Sequence, residues 1–270
     1  MLRQPLRHQL AELRPEDFFV VPGLDVAITK TKARKPDGSV LRAISWYDTK
    51  MLIQSLDNYF LPTSSQWGGK EKGARPYLQR YYPELEKDFI TEREWVDSLI
   101  ALPDKEGKYS SMLQISGVKK GKVPLLIEKS KVERHGYMYV VTEGKVTEVP
   151  ELPLETGYVQ EWDDDLGLPT KVGDEPNETF EKAYFYVNTN YDYHEGLRAL
   201  VRGERFSMTA AWPPSSSSPY VGFRLGRTMS DSDFMKISRL EYEALIKQKE
   251  SISQSLKKLD ELLSKVKFWH

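Results

Sequence analysis

Bulky rings, tight glycines and fixed arginines recur in five short stretches of this 270-residue chain, and they restrict its folding more than any other feature. Ser45-Trp46-Tyr47-Asp48 comes first, then Leu61-Pro62-Thr63-Ser64-Ser65-Gln66-Trp67, then Gly157-Tyr158-Val159-Gln160-Glu161-Trp162. Leu200-Val201-Arg202-Gly203-Glu204-Arg205-Phe206 follows, and Tyr220-Val221-Gly222-Phe223-Arg224-Leu225-Gly226-Arg227 closes the set. A tryptophan brings a large apolar area and one N–H that wants a partner when buried. Trp46, Trp67 and Trp162 are therefore expected inside, stitching loops to a sheet. Gly222 permits a close backbone approach, Phe223 points to the core, and Arg224 offers a planar fork of donors. Because a buried arginine is costly when unpaired, Glu161 is expected to face Arg202 or Arg224.

The ordered set resembles the formylglycine-generating enzyme (sulfatase-modifying factor) family. That resemblance implies an α+β chain with a C-type-lectin-like fold over residues 18–227. An internal insertion is expected at about 68–156, irregular but for a few hairpins. A helical segment over 1–17 precedes the domain, and a C-terminal helical tail follows over 228–270. Trp67, Trp162 and Phe223 must then meet in connected cores. The family's enzymes use a pair of thiols between the fourth and fifth motifs, since a thiolate is the soft ligand and nucleophile such oxidative chemistry needs. No cysteine is present here. What the resemblance carries over is the scaffold, with no catalytic residue and no cofactor.

The layout between the fourth and fifth motifs is also similar to the variable proteins of diversity-generating retroelements, which display replaceable side chains on this scaffold to bind ligands. Their variable-type segment corresponds to about 191–224. Here it interleaves rings with small polar residues, a chemistry in which rigid rings supply contact area while hydroxyls adjust. The ligand-facing residues are expected to be Tyr191, Tyr193, His194, Glu204, Phe206, Met208, Trp212, Ser216, Ser218 and Tyr220, with some of the rings in the core. The expected activity is non-catalytic capture of a protein or small-molecule ligand. Two alternatives stand beside it: a cysteine-less enzyme using metal at Asp163 to Asp165 and His194, and a receptor-binding or structural virion protein.

Composition narrows these readings. A formal charge of −1 gives no field to draw the chain to nucleic acid. His8, His135, His194 and His270 lack zinc spacing, and neither a phosphate-binding loop nor a serine elbow occurs. Asp163-Asp164-Asp165 reads as a solvated or capping loop more readily than as calcium ligands, because calcium takes roughly six or more converging oxygens. No metal site is assigned. An apolar stretch of the ~20 residues that spanning needs is missing, as is a signal-peptide core, so a cytoplasmic or virion-associated place without a membrane span is expected.

Periodicity supplies the elements. Leu2, Leu6, Leu10 and Leu13 suit an amphipathic helix over Met1 to Arg14. Phe18 to Val21, Val26 to Thr29, Pro124 to Ile127, Tyr137 to Val141, Ala183 to Val187 and Ala199 to Val201 read as strands, as does Met112 to Ile115. Lys35-Pro36-Asp37-Gly38 reads as a turn. Helices are expected after Trp46 with Asp48 as cap, near Tyr77 to Glu86, and over Thr91 to Ala101. Leu245, Ile252, Leu256, Leu259, Leu263 and Val266 form one seam of a helix over Ser238 to Lys267, which either packs on its own domain or joins copies into a homo-oligomer.

Overall fold

The computed structural model describes residues 9–21, 24, 26–68, 71, 73–83, 93–203 and 207–229, with 239, 243, 250 and 253–258 beyond them. It is an α+β molecule, mostly sheet with few helices. Chain order is β1 (Phe18–Val21), β2 (Val26–Thr29), α1 (Trp46–Gln54), β3 (Tyr59–Phe60), α2 (Ser64–Trp67), α3 (Ala74–Tyr81) and β4 (Arg93–Ala101). There follow β5 (Leu125–His135), β6 (Met138–Glu148), β7 (Gly157–Asp163), β8 (Leu168–Gly173), β9 (Tyr184–Val187), β10 (Leu197–Arg202), β11 (Met208–Trp212), β12 (Val221–Phe223) and β13 (Gly226–Thr228).

Two sheets carry the fold. The smaller has the order β1-β2-β13-β3, so the closing strand of the domain sits between two strands from its beginning. The larger runs β6-β5-β4-β10-β11-β9-β7-β8, with β12 pairing β4 in parallel. Alternation along its central strands sends side chains to two different cores. Val96, Ile100 and Leu200 join Phe19, Ile28, Trp67 and Phe185 on one face. Trp95, Leu99, Leu197 and Val201 join Trp46, Leu52 and Phe223 on the other, where α1 packs.

This arrangement corrects the reading of Thr91 to Ala101 as a helix. From Glu94 to Ala101 every residue is buried, because β4 is covered on both faces. An apolar run without a period of two cannot be told from a helix by pattern alone. It also corrects the picture of 68–156 as irregular: β4, β5 and β6 come from it, with Ala101 opposite Leu197 of β10 and Leu125 of β5. Met112 to Ile115 is not a strand, although Leu113 makes a single bridge to Val141. Ala11 to Arg14 is non-helical; Ala11 N–H instead donates to Arg34 O at 2.8 Å while Leu10 and Leu13 pack on the core. Residues 1–8 of that expected helix, 84–86 of the α3 expectation and most of the tail lie outside the described residues. Within the tail, 253–258 is helical and Arg239 pairs with Glu243 at 3.0 Å.

The cap of α1 is Ser45, not Asp48. Its Oγ accepts the Asp48 N–H at 3.0 Å and donates to the Asp48 carboxylate at 2.8 Å, so the acidic side chain sits in the first turn of the helix. A serine whose extended backbone leads into the first turn reaches that amide without strain. Trp46 is fully buried, and its ring N–H donates to Val96 O at 2.8 Å, tying α1 to the middle of β4.

Candidate functional site

Three buried arginines organise the two ends of the large sheet. Arg224 donates from Nε to Glu94 at 3.0 Å and from Nη1 to Thr29 O at 3.3 Å, locking β12 to β4 and the small sheet. Lys32 Nζ reaches the same Glu94 at 3.4 Å. Glu161, the expected partner, instead pairs on the surface with Lys171 at 3.1 Å, both side chains more than 60% exposed. The correction has a simple cause: β7 turns the Glu161 side chain to solvent, whereas Glu94 is inside β4. On the face that carries Trp67, the Arg202 and Arg224 guanidiniums lie 4.2 and 5.6 Å from its ring centre. Phe223 itself belongs to the opposite core from Trp67 and Trp162.

Arg198 builds the other end. It is fully buried and donates to Asn188 O at 3.0 Å, Tyr193 O at 2.6 Å, Leu197 O at 2.9 Å and Asn190 O. The segment from 188 to 197 is thereby wound around one guanidinium. Its backbone turns left-handed at His194 (φ 53°), Glu195 (φ 51°) and Gly196 (φ 71°), an uncommon run for side-chain-bearing residues. Glu195 anchors it to the neighbouring loop. Its carboxylate accepts from Ser111 N and Ser111 Oγ, both at 2.7 Å, and from Ser110 Oγ at 3.1 Å. Those hydrogen bonds, Ser111's hydroxyl first, hold the carboxyl below its ordinary 4.5.

Beside this turn opens a groove of about 490 Å³, lined by Leu102, Pro103, Pro124 and Leu154 with Lys105, Lys120 and Lys122 among its polar residues. Thr189 of the wound segment is part of the wall, and Leu102 N–H donates to Gly196 O at 3.0 Å. Five charged side chains stand beside four apolar residues in its described lining, a more polar make-up than that of the usual small-molecule site. Asp104, also in the wall, is occupied as a turn acceptor for Glu106 N at 2.8 Å and Lys108 N at 2.7 Å.

The expected ligand-facing residues divide. Tyr193 is 42% exposed, His194 is exposed with its ring edge-on to Tyr193 at 4.9 Å, and Tyr191 is half-buried against the same turn. Tyr220 is 71% exposed but precedes Val221, which pairs with Arg93 at the far end of β4, roughly 25 Å away along the strand. Trp212 packs edge-on against Trp95 at 5.9 Å and is half-buried. Met208 and Ser218 leave the ligand-facing set. Met208 lies in the core opposite Phe185 of β9, and Ser218 is buried with Oγ accepting the Tyr220 N–H at 3.2 Å. Ser216 is a half-buried turn residue whose N–H donates to Pro213 O at 2.9 Å. Glu204 and Phe206 lie outside the described residues. Asp163 serves as a turn acceptor for Asp165 N at 2.8 Å and Leu166 N at 3.0 Å, and Asp164 accepts from Glu71 N at 3.2 Å.

Neither a protein-family model nor a curated protein matches this chain. No helix among the described residues is long and apolar enough to cross a membrane.

Proposed function

We propose that this chain is a non-catalytic ligand-binding protein, a C-type-lectin-like scaffold of the formylglycine-generating-enzyme type whose site is the groove beside the turn at Tyr191 to Gly196. The observation that carries the reading is Arg198: one buried guanidinium fixes four carbonyls, so Tyr191, Tyr193 and His194 are shown on a backbone that has already lost its conformational entropy. A stiff frame bearing exposed rings next to a groove suits capture more than chemistry. In the wall, lysines outnumber the acids Asp104 and Glu106, and Asp104 is already spent on its own turn, which favours a ligand with an acidic or phosphorylated group over an apolar body.

Diversification by a retroelement agrees with the segment's burial pattern only at selected positions. Tyr191, Tyr193, His194, Thr209, Trp212, Ser215, Ser217 and Tyr220 retain surface, whereas Met208, Ala210, Val221 and Phe223 are core. The neighbouring DNA tests this. A reverse-transcriptase gene plus a near-copy of the codons for Ala199 to Arg224, differing at adenines of Thr209, Trp212, Ser215, Ser217 and Tyr220 and unchanged at the core positions, is the expected finding. Differences spread over Met208, Val221 and Phe223 would overturn it. At the protein level, Tyr193→Ala with His194→Ala should leave the melting temperature unchanged while abolishing capture from a panel of acidic peptides and phosphorylated small molecules; capture unaffected by both changes would move the site elsewhere.

A further inference from the structure

A second, much smaller space lies at the opposite end of the sheet from the groove. It is lined by Trp67, Arg75, Trp162, Arg202, Ser207 and Met208 together with Ser64 and Gly68, and it measures about 10 Å³. That is room for one particle about the size of a water molecule. Among the described lining residues two are cations and none is an acid.

Their charges are unevenly matched. Arg75 reaches Glu181 at 3.4 Å, and Arg224 nearby reaches Glu94 at 3.0 Å. Arg202 is only 5% exposed, has no ion pair among the described residues, and its Nη2 has no hydrogen-bond acceptor there. Stacking on Trp67 supports the flat face of the guanidinium, but an in-plane N–H needs an acceptor in the plane. Burial, and Arg75 beside it, push Arg202 down to about 9. Glu94, opposite Arg202 on β4, offsets this charge only in part, because its carboxylate is already held by Arg224 and Lys32. Ser207 adds a donor: its Oγ accepts the Tyr184 N–H at 3.0 Å, which leaves the hydroxyl proton to give.

We propose that this cavity is a binding site for one small inorganic anion of chloride's size and charge, held by Arg202 Nη2 and the Ser207 hydroxyl. Larger oxyanions and ligand carboxylates do not fit the space. A neutral water satisfies the orphaned N–H but leaves the guanidinium charge unbalanced; an anion does both. The site joins the second, third and fourth sequence motifs, through Trp67, Trp162 and Arg202, so its occupancy ties α2, β7 and β10 together.

The test uses the full chain. Crystals soaked in bromide are expected to show an anomalous peak between Arg202 and Ser207. In solution, replacing gluconate by chloride at constant ionic strength should raise the melting temperature by about 3 °C or more for each tenfold step once the site fills. Arg202→Gln should erase that response. If Arg202→Gln does not fold, Ser207→Ala carries the test, with the half-saturating chloride concentration rising about tenfold. An empty or water-filled cavity with a melting temperature indifferent to chloride overturns the proposal. So does an adventitious ion only, with peaks confined to surface lysines and a chloride response that survives both substitutions. Bromide seen only in Glu204→Gln would mean that this chain's own carboxylate fills the place, which also overturns it.

Discussion

Arg198, Arg202 and Arg224 show how single charged side chains decide local structure when they are buried in strands or at their ends. Substituting Arg198 by Met keeps the packing of its stem but leaves four carbonyls without their donor. The expected loss is about 2–4 kcal/mol in denaturant melts, with hydrogen exchange quickening first over 188–197. Glu195 makes the same turn sensitive to pH. Its folded-state pKa is depressed below 4.5, so its stabilisation is complete above 4.5 and disappears as pH falls through the depressed value. An NMR titration should accordingly find the Ser111 amide protected at neutral pH and exposed in acid, with Glu195→Gln unresponsive. Lys50 offers a third case, its Nζ 2.6 Å from Asp97 with both side chains buried. Lys50→Met should cost about 3–5 kcal/mol, and Lys50→Met with Asp97→Asn markedly less, because the penalty comes from a stranded carboxylate. Part of this was legible in the chain. An arginine within Leu-Arg-Ala-Leu-Val-Arg announces a buried cation that needs partners, but the partners of Arg198 are backbone carbonyls, which leave no mark in a sequence. Glu94 was hidden for a different reason, since its segment reads as helix.

At the scale of elements, β4 carries the lesson. Ala183 to Val187 and Ala199 to Val201 are readable because aromatic and β-branched residues favour strands, and Phe18 to Val21 reads as one in the same way. Thr91 to Ala101 misleads because both faces of the strand are covered from Glu94 to Ala101, which erases the alternation a half-exposed strand shows. A peripheral insertion would tolerate truncations in it. Leu99 and Ile100 point to opposite cores and are both fully buried, so Leu99→Ala and Ile100→Ala should each cost about 2–5 kcal/mol by denaturant unfolding. Costs under a kilocalorie for both would return the segment to the periphery. The groove, likewise, escaped notice because its walls come from 102–107, 120–122, Pro124, Leu154 and Thr189, pieces far apart in the chain that share no motif.

For the whole molecule, the decisive strand is β13. Gly226 pairs with Ile28 on one side and with Phe60 on the other, and a side chain at Gly226 would collide with the Phe60 ring. Truncation after Met229 keeps this strand and should preserve the thermal transition, whereas truncation after Leu225 removes it and should lower the melting temperature by several degrees or abolish cooperative unfolding. Sedimentation of the full chain against the Met229 truncation reads the separate question of whether 230–270 joins copies. The position of β13 also sets a timetable. While the polypeptide emerges from a ribosome, β2 waits with an unsatisfied edge for nearly 200 further residues and β3 for roughly 165, so the small sheet is the last part to close and the stretch most in need of protection from stray pairing during synthesis.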